Sequence, residues 1–195
     1  MRLPYPVVLA SASPRRQELL RRLVPEFEVL PQHLDEAALG DADPWVAAQR
    51  LAREKALAGF AARRDHLVIA ADTVVALEGR HGWIQFAKPC DPAEARRMLG
   101  ELAGREHRVV TGLALRWPKG MEAMTETSRV RFRELSAEEI AAYVATGEPM
   151  DKAGAYGLQG GARTFVESVA GSITNVIGLP MERLEEALSR LRSGR

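Results

Sequence analysis

Strand-length apolar runs and helical apolar stripes take turns along this chain. Pro6 to Ala10 is a short apolar strand that leads through Ser11 and Ser13 into an amphipathic helix opened by Pro14, with Ser13 at its N-cap. Phe27 to Leu30 predicts a second short strand. Asp43-Pro44 then caps a long helix to about Arg64, whose stripe is Ala48, Leu51, Ala52 and Ala56. Leu67 to Ala71 is a continuous apolar run suited to a central buried strand, followed beyond Asp72 by a further strand-like piece, Val74 to Leu77. Asp91-Pro92-Ala93-Glu94 predicts a capping box for a helix ending near Leu102. Two segments rich in β-formers, Arg105 to Trp117 and Thr125 to Arg133, predict a long antiparallel pair. Ser136 to Glu139 forms another capping box, for a helix ending near Thr146-Gly147. A glycine-rich loop, a strand around Thr164 to Val169 and a helix from about Pro180 to Leu191 follow.

This alternation predicts an α/β fold with a mixed, twisted sheet and flanking helices. There is no internal repeat, linker or composition break, so residues 1–195 are expected to form one domain, with a cleft between two lobes as the place for a nucleotide-sized ligand. With 46% apolar residues the chain can bury a full core. Its 27 basic and 26 acidic side chains nearly balance, so the broad basic face that polymeric nucleic acid requires is not expected. Apolar runs are strand-sized, which predicts neither a membrane span nor a signal peptide. Cys90 is the single cysteine, and His33, His66, His81 and His107 are scattered, which excludes a disulfide framework and a structural zinc site and fits a reducing cytoplasm.

Candidate chemistry concentrates first in Leu9 to Leu20, LASASPRRQELL. Free backbone N–H groups at a helix start, the hydroxyls of Ser11 and Ser13 and the guanidinium groups of Arg15 and Arg16 would converge on one small volume, which suits a polyphosphate. An ordinary capped helix with solvated arginines uses the same residues. Asp72, expected at the carboxyl end of its apolar strand, stands where open α/β sheets place ligand-handling groups. There it is able to hold a metal, take a proton from water, or both, or else to form a turn. Asp35-Glu36 offers a second carboxylate, or a solvated surface pair.

In order, SASPRR (Ser11 to Arg16), the helix RLAREKA around Lys55, Ala71-Asp72-Thr73, Lys88-Pro89, DKAGAYGLQG (Asp151 to Gly160) and Gly178-Leu179-Pro180 resemble the motifs of the Maf-like nucleoside triphosphate pyrophosphatases, in family order over nearly the whole chain. The resemblance implies a fold similar to that of inosine triphosphate pyrophosphatases. It also implies hydrolysis of a nucleoside triphosphate to the monophosphate and pyrophosphate with a divalent metal, magnesium or manganese, in a homodimer. On the matching positions it implies Asp72 as proton acceptor, Glu36 and Asp72 as metal ligands, and Arg16, Lys55 and Lys88 as phosphate-binding cations.

At Arg15, Thr73 and Gln159 the chain resembles the branch of the family that acts on dTTP and UTP. A related branch selective for 7-methyl-GTP has glutamate in place of the glutamine. Glutamine presents one acceptor and one donor, which matches the N3–H and ring carbonyl of uracil or thymine. A nucleotide-binding regulator of septum formation with little turnover is the alternative of another class. Ile173 and Ala87 depart from the family's usual aromatic and glycine, which bears on loop geometry and not on any titrating group.

Overall fold

The computed structural model describes residues 3–36 and 38–193. Among them seven strands form one mixed sheet: β1 (Val7–Leu9), β2 (Glu28–Val29), β3 (Leu67–Gly79), β4 (Gly82–Phe86), β5 (Glu106–Trp117), β6 (Gly120–Phe132) and β7 (Val166–Ala170). The order across the sheet is β2-β1-β3-β5-β6-β7, with β4 also on β3. β1 runs parallel to β2 and β3, and the remaining pairings are antiparallel.

Among the described residues six α-helices flank the sheet: α1 (Pro14–Arg21), α2 (Pro44–Ala62), α3 (Pro92–Leu102), α4 (Ala137–Ala145), α5 (Ile173–Ile177) and α6 (Met181–Arg192). α2 starts where the Asp43 carboxylate accepts from the N–H groups of Trp45 and Val46, and Pro44 fills the first turn, where no N–H is needed. Its buried side is built largely of Ala and Gly, so it lies close to the strands. A Cβ at Gly112 on β5 would stand 2.0 Å from the Ala48 carbonyl oxygen, and the missing side chain is what lets the helix settle there.

Three expectations need correction. The two pieces expected on either side of Asp72 are one strand of 13 residues, because β5 pairs with it without a break from Val68–Arg116 to Ala76–Arg108. Asp72 therefore lies mid-strand and not at a strand's carboxyl end. β6 starts at Gly120, not Thr125, since the hairpin closes at Trp117–Gly120 and carries the weaker β-formers Met121, Glu122 and Ala123 into the ladder. Asp91 does cap α3, but Glu94 turns its carboxylate to the Cys90 N–H, which gives half of the expected capping box; the box at Ser136–Glu139 is complete. β4 and α5 had no counterpart among the predicted elements.

The apolar side chains gather in clusters that stop at the same point of β3. On one face Ile69 and Ala71 pack with α1 and α6, while Val75 and Leu77 pack with α3 and α4. On the other face Val68 and Ala70 pack under Ala52 and Ala56 of α2, while Val74 packs with Ala47 and Ala48. Thr73 falls in the gap on the first face and Asp72 in the gap on the second. The expected pair of lobes is thus two apolar cores sharing one sheet, with the seam at residues 72–73.

Candidate active site

β3 outlasts its neighbours on one side. β1 accompanies it only to Ile69, with the Ala10 N–H reaching the Ile69 carbonyl at 2.8 Å, and β4 joins only from Val75 onward. From Ala70 to Val74 that edge has no strand partner among the described residues, while β5 covers the opposite edge throughout. The carboxyl end that positions the site is that of β1, whose chain turns away through Ser11 to Ser13 into α1. A cavity of about 770 Å³ opens here, within the range of about 300–1,000 Å³ usual for small-molecule sites. Ser11, Ser13, Arg15, Arg16, Glu36, Lys55, Asp72, Thr73, Lys88 and Gln159 all line it.

Lys55 reaches from α2 onto the seam and donates to Asp72 Oδ1 at 2.5 Å and to Glu36 Oε1 at 2.6 Å. Lys55 and Asp72 are each 8% exposed, so this is a buried ion pair, whereas Glu36 is half open to solvent. Burial alone would raise the Glu36 carboxyl, but the hydrogen bond and charge of Lys55, with Lys88 and Arg16 adding theirs, hold it below its ordinary value.

On the opposite face Arg16 is tied at three nitrogens. Nε donates to the Gly178 carbonyl at 2.8 Å, Nη2 to Thr73 Oγ1 at 3.1 Å and Nη1 to Ser11 Oγ at 3.3 Å. Burial draws its guanidinium below the ordinary value, with the charge of Asp72 opposing that shift. These contacts use one N–H of each Nη and leave a second on each, and Arg16 lines the cavity. Thr111 donates to the Asn175 carbonyl, so Thr73 gives its own proton to Thr111 and accepts from Arg16. Thr73 thereby fixes Arg16, a role not legible in its motif.

Ser13 caps α1 by accepting from the Arg16 N–H at 3.4 Å. Arg15 crosses to Asp151 at 3.1 Å, and the Asp151 carboxylate also accepts from Lys152 at 2.6 Å. Lys88 and Gln159 are exposed on the cavity wall. Sequence reasoning missed the supports of the loop that carries Gln159. Tyr156 sends its hydroxyl to the His107 ring at 2.8 Å, and Glu148 bonds the Gly161 N–H at 3.0 Å. Neither partner has a local signal, since both contacts span the fold or a turn.

A buried carboxylate held by an ammonium, with further cations around it in one cavity, has the chemistry that suits a phosphorylated small molecule. The family described as "Maf-like protein" matches residues 6–191. This chain belongs to the Maf family. The dTTP/UTP pyrophosphatase of Moorella thermoacetica is 47% identical over 94% of this chain and 93% of its own length. That of Thermococcus gammatolerans is 49% identical over 90% of this chain and 91% of its own, and that of Aquifex aeolicus 44% identical over 95% of each. A dITP/XTP pyrophosphatase structure from Mycobacterium abscessus aligns over 96% of this chain and 95% of its own at a TM-score of 0.46 and 15% identity.

Proposed function

We propose that this chain hydrolyses dTTP and UTP to the nucleoside monophosphate and pyrophosphate, with Asp72 taking the proton of the attacking water. What supports this activity is the buried Asp72–Lys55 pair, with half-exposed Glu36 on the same ammonium, at the free stretch of β3, inside a cavity that also presents Arg16 and Lys88. Lys55 holds Oδ1 of Asp72, which leaves Oδ2 to accept from water. The water oxygen bonds to the α phosphorus as its proton passes to Asp72. The bond from that phosphorus to the bridging oxygen breaks, and its electron pair leaves on pyrophosphate. Arg16, Lys55 and Lys88 are the cations that meet the growing charge, with the hydroxyls of Ser11 and Ser13 beside them.

A divalent cation fits the donors. Lys55 takes one oxygen of Asp72 and one of Glu36, which leaves the second oxygen of each carboxylate for an ion, and magnesium-type sites use one or two carboxylates completed by waters and phosphate oxygens. Among the described residues no three His, Cys, Asp or Glu side chains gather as a metal cluster. Bound at Glu36 and Asp72, magnesium or manganese would supply fixed positive charge to the triphosphate oxygens.

Base choice falls to Arg15 and Gln159, with Thr73 acting through Arg16. The Gln159 amide offers the donor and acceptor that the edge of uracil or thymine needs, and sites that hydrogen-bond a substrate edge reject mismatched edges strongly. The assignment extends to a homodimer in the cytoplasm, checked by sedimentation of the purified protein and fractionation of its host. No helix of the described residues is long and apolar enough to cross a membrane.

The test is hydrolysis of a nucleotide panel (dTTP, UTP, CTP, GTP and 7-methyl-GTP) in oxygen-18 water with magnesium or manganese. Preference for dTTP and UTP with label in the monophosphate is expected. Label only in pyrophosphate means attack on the β phosphorus and overturns the assignment, as does a preference for 7-methyl-GTP. Gln159→Glu should erode the preference for dTTP and UTP, and an unchanged panel would remove Gln159 from base recognition.

A further inference from the structure

The loop that carries Gln159 has little structure of its own to hold it. α4 ends at Thr146, and Gly147 takes a left-handed conformation with φ 76°, which turns the chain back so that Glu148 lies beneath Tyr143. Glu148 Oε1 accepts from the Tyr143 hydroxyl at 2.9 Å, and Oε2 accepts from the Gly161 N–H at 3.0 Å. Tyr143 is itself fixed in the apolar core, edge-on to Phe165 at 5.2 Å. The loop folds directly over this carboxylate. A Cβ at Gly160 would stand 1.9 Å from Glu148 Oε1, and one at Gly157 would stand 2.6 Å from Lys152 Cε. Between those two glycines Leu158 is buried at 6% exposure while Gln159 faces the cavity. One anchored carboxylate thus lies directly behind the loop that presents the Gln159 amide.

We propose that Glu148 is a positioning residue for base selection, clamping the 157–161 loop so that Gln159 meets the pyrimidine edge. This rests on the reading of Gln159 as the base-facing residue. Charge-assisted hydrogen bonds of this kind are the stronger ones, and small displacements of a positioning group have large kinetic effects. Glutamine at 148 keeps the geometry, since its oxygen accepts from the Gly161 N–H while its amide donates to the Tyr143 oxygen.

The experiment compares wild type, Glu148→Ala, Glu148→Gln and Gln159→Glu by kcat and KM on dTTP and CTP, together with amide exchange of residues 157–161. For Glu148→Ala the ratio of kcat/KM for dTTP over CTP is expected to fall about tenfold, equivalent to about 1.4 kcal/mol, through a raised KM for dTTP. Exchange in the loop should accelerate, and Glu148→Gln should restore most of both readouts. An unchanged ratio in Glu148→Ala, or an equal loss on both nucleotides, overturns the proposal. Unchanged loop exchange overturns the clamp itself. Should Gln159→Glu leave the panel unaltered, base reading by Gln159 fails, while the Glu148→Ala ratio still decides whether Glu148 affects selection.

Discussion

Replacing Lys55 with methionine removes the ammonium from between Asp72 and Glu36 and keeps most of the stem that packs in α2. The Coulomb attraction of unit charges at 2.5 Å through an effective dielectric of about 20 is about 7 kcal/mol. Desolvation of the two ions offsets much of it, and breaking a buried pair by deleting one partner costs about 3–5 kcal/mol. Half-exposed Glu36 is stabilised by water once its partner is gone, so the low end, about 3 kcal/mol at pH 7, is expected. In a chain of this length that lowers Tm by about 6–12 °C.

The pH dependence has a definite sign. Glu36 is held below its ordinary value in the folded protein, so its share of stability is present above the unfolded carboxylate value of about 4.3 and is lost as pH falls through the folded one. The gap between wild type and Lys55→Met should therefore hold from pH 7 down to about 4.3, narrow only below that, and be smaller at about pH 3 than at pH 7. Urea midpoints at the two pH values, with unchanged m, measure it. A gap under about 0.5 kcal/mol at pH 7 would refute the buried pair, and an equal gap at both pH values would mean that packing alone was lost. Adding Asp72→Asn to Lys55→Met should return part of the stability, because the uncompensated charge is then gone.

Asp72→Asn should fold and lose about 10²–10⁴-fold in kcat, since an amide takes no proton from water; near-normal turnover by a folded sample would remove Asp72 from its proposed role. His107, 1% exposed, is pushed down by burial to about 4. Folded protein keeps this ring neutral while the unfolded chain protonates, so about 3 kcal/mol of stability should be lost between about pH 6.5 and pH 4. His107→Gln should flatten that decline, and a wild-type slope in the variant would refute the assignment. The decline is common to wild type and Lys55→Met, so it cancels from their difference.

What the sequence made legible was local: caps at Ser13, Asp43 and Ser136, the apolar period of α2 and the two long β-rich segments each carry their signal within a few residues. The break read at Asp72-Thr73 was a real signal with a different cause. Two polar residues interrupt the apolar run not because the strand ends but because the cores on both faces end there, one side meeting Lys55 and the other Arg16. A strand end and a core seam produce the same pattern in a single sequence, and only the unbroken β5 ladder separates them. β4 and α5 are short, and their stability comes from β3 and from the Asn175 and Ser172 contacts, so no period of their own was available. The gathering of Ser11, Lys55, Asp72, Lys88 and Gln159 was legible only through family motifs, because β1 stopping at Leu9 while β3 continues is a property of pairing between segments about sixty residues apart. The same limit hid Glu148. Its partners are an aromatic hydroxyl on α4 and a glycine N–H beyond the next turn, and the one trace it leaves in the sequence is that position 160 has no side chain. Glycine in a ligand loop is usually read as freedom for backbone approaching a ligand; here the space is taken from behind, by the carboxylate that holds the loop in place.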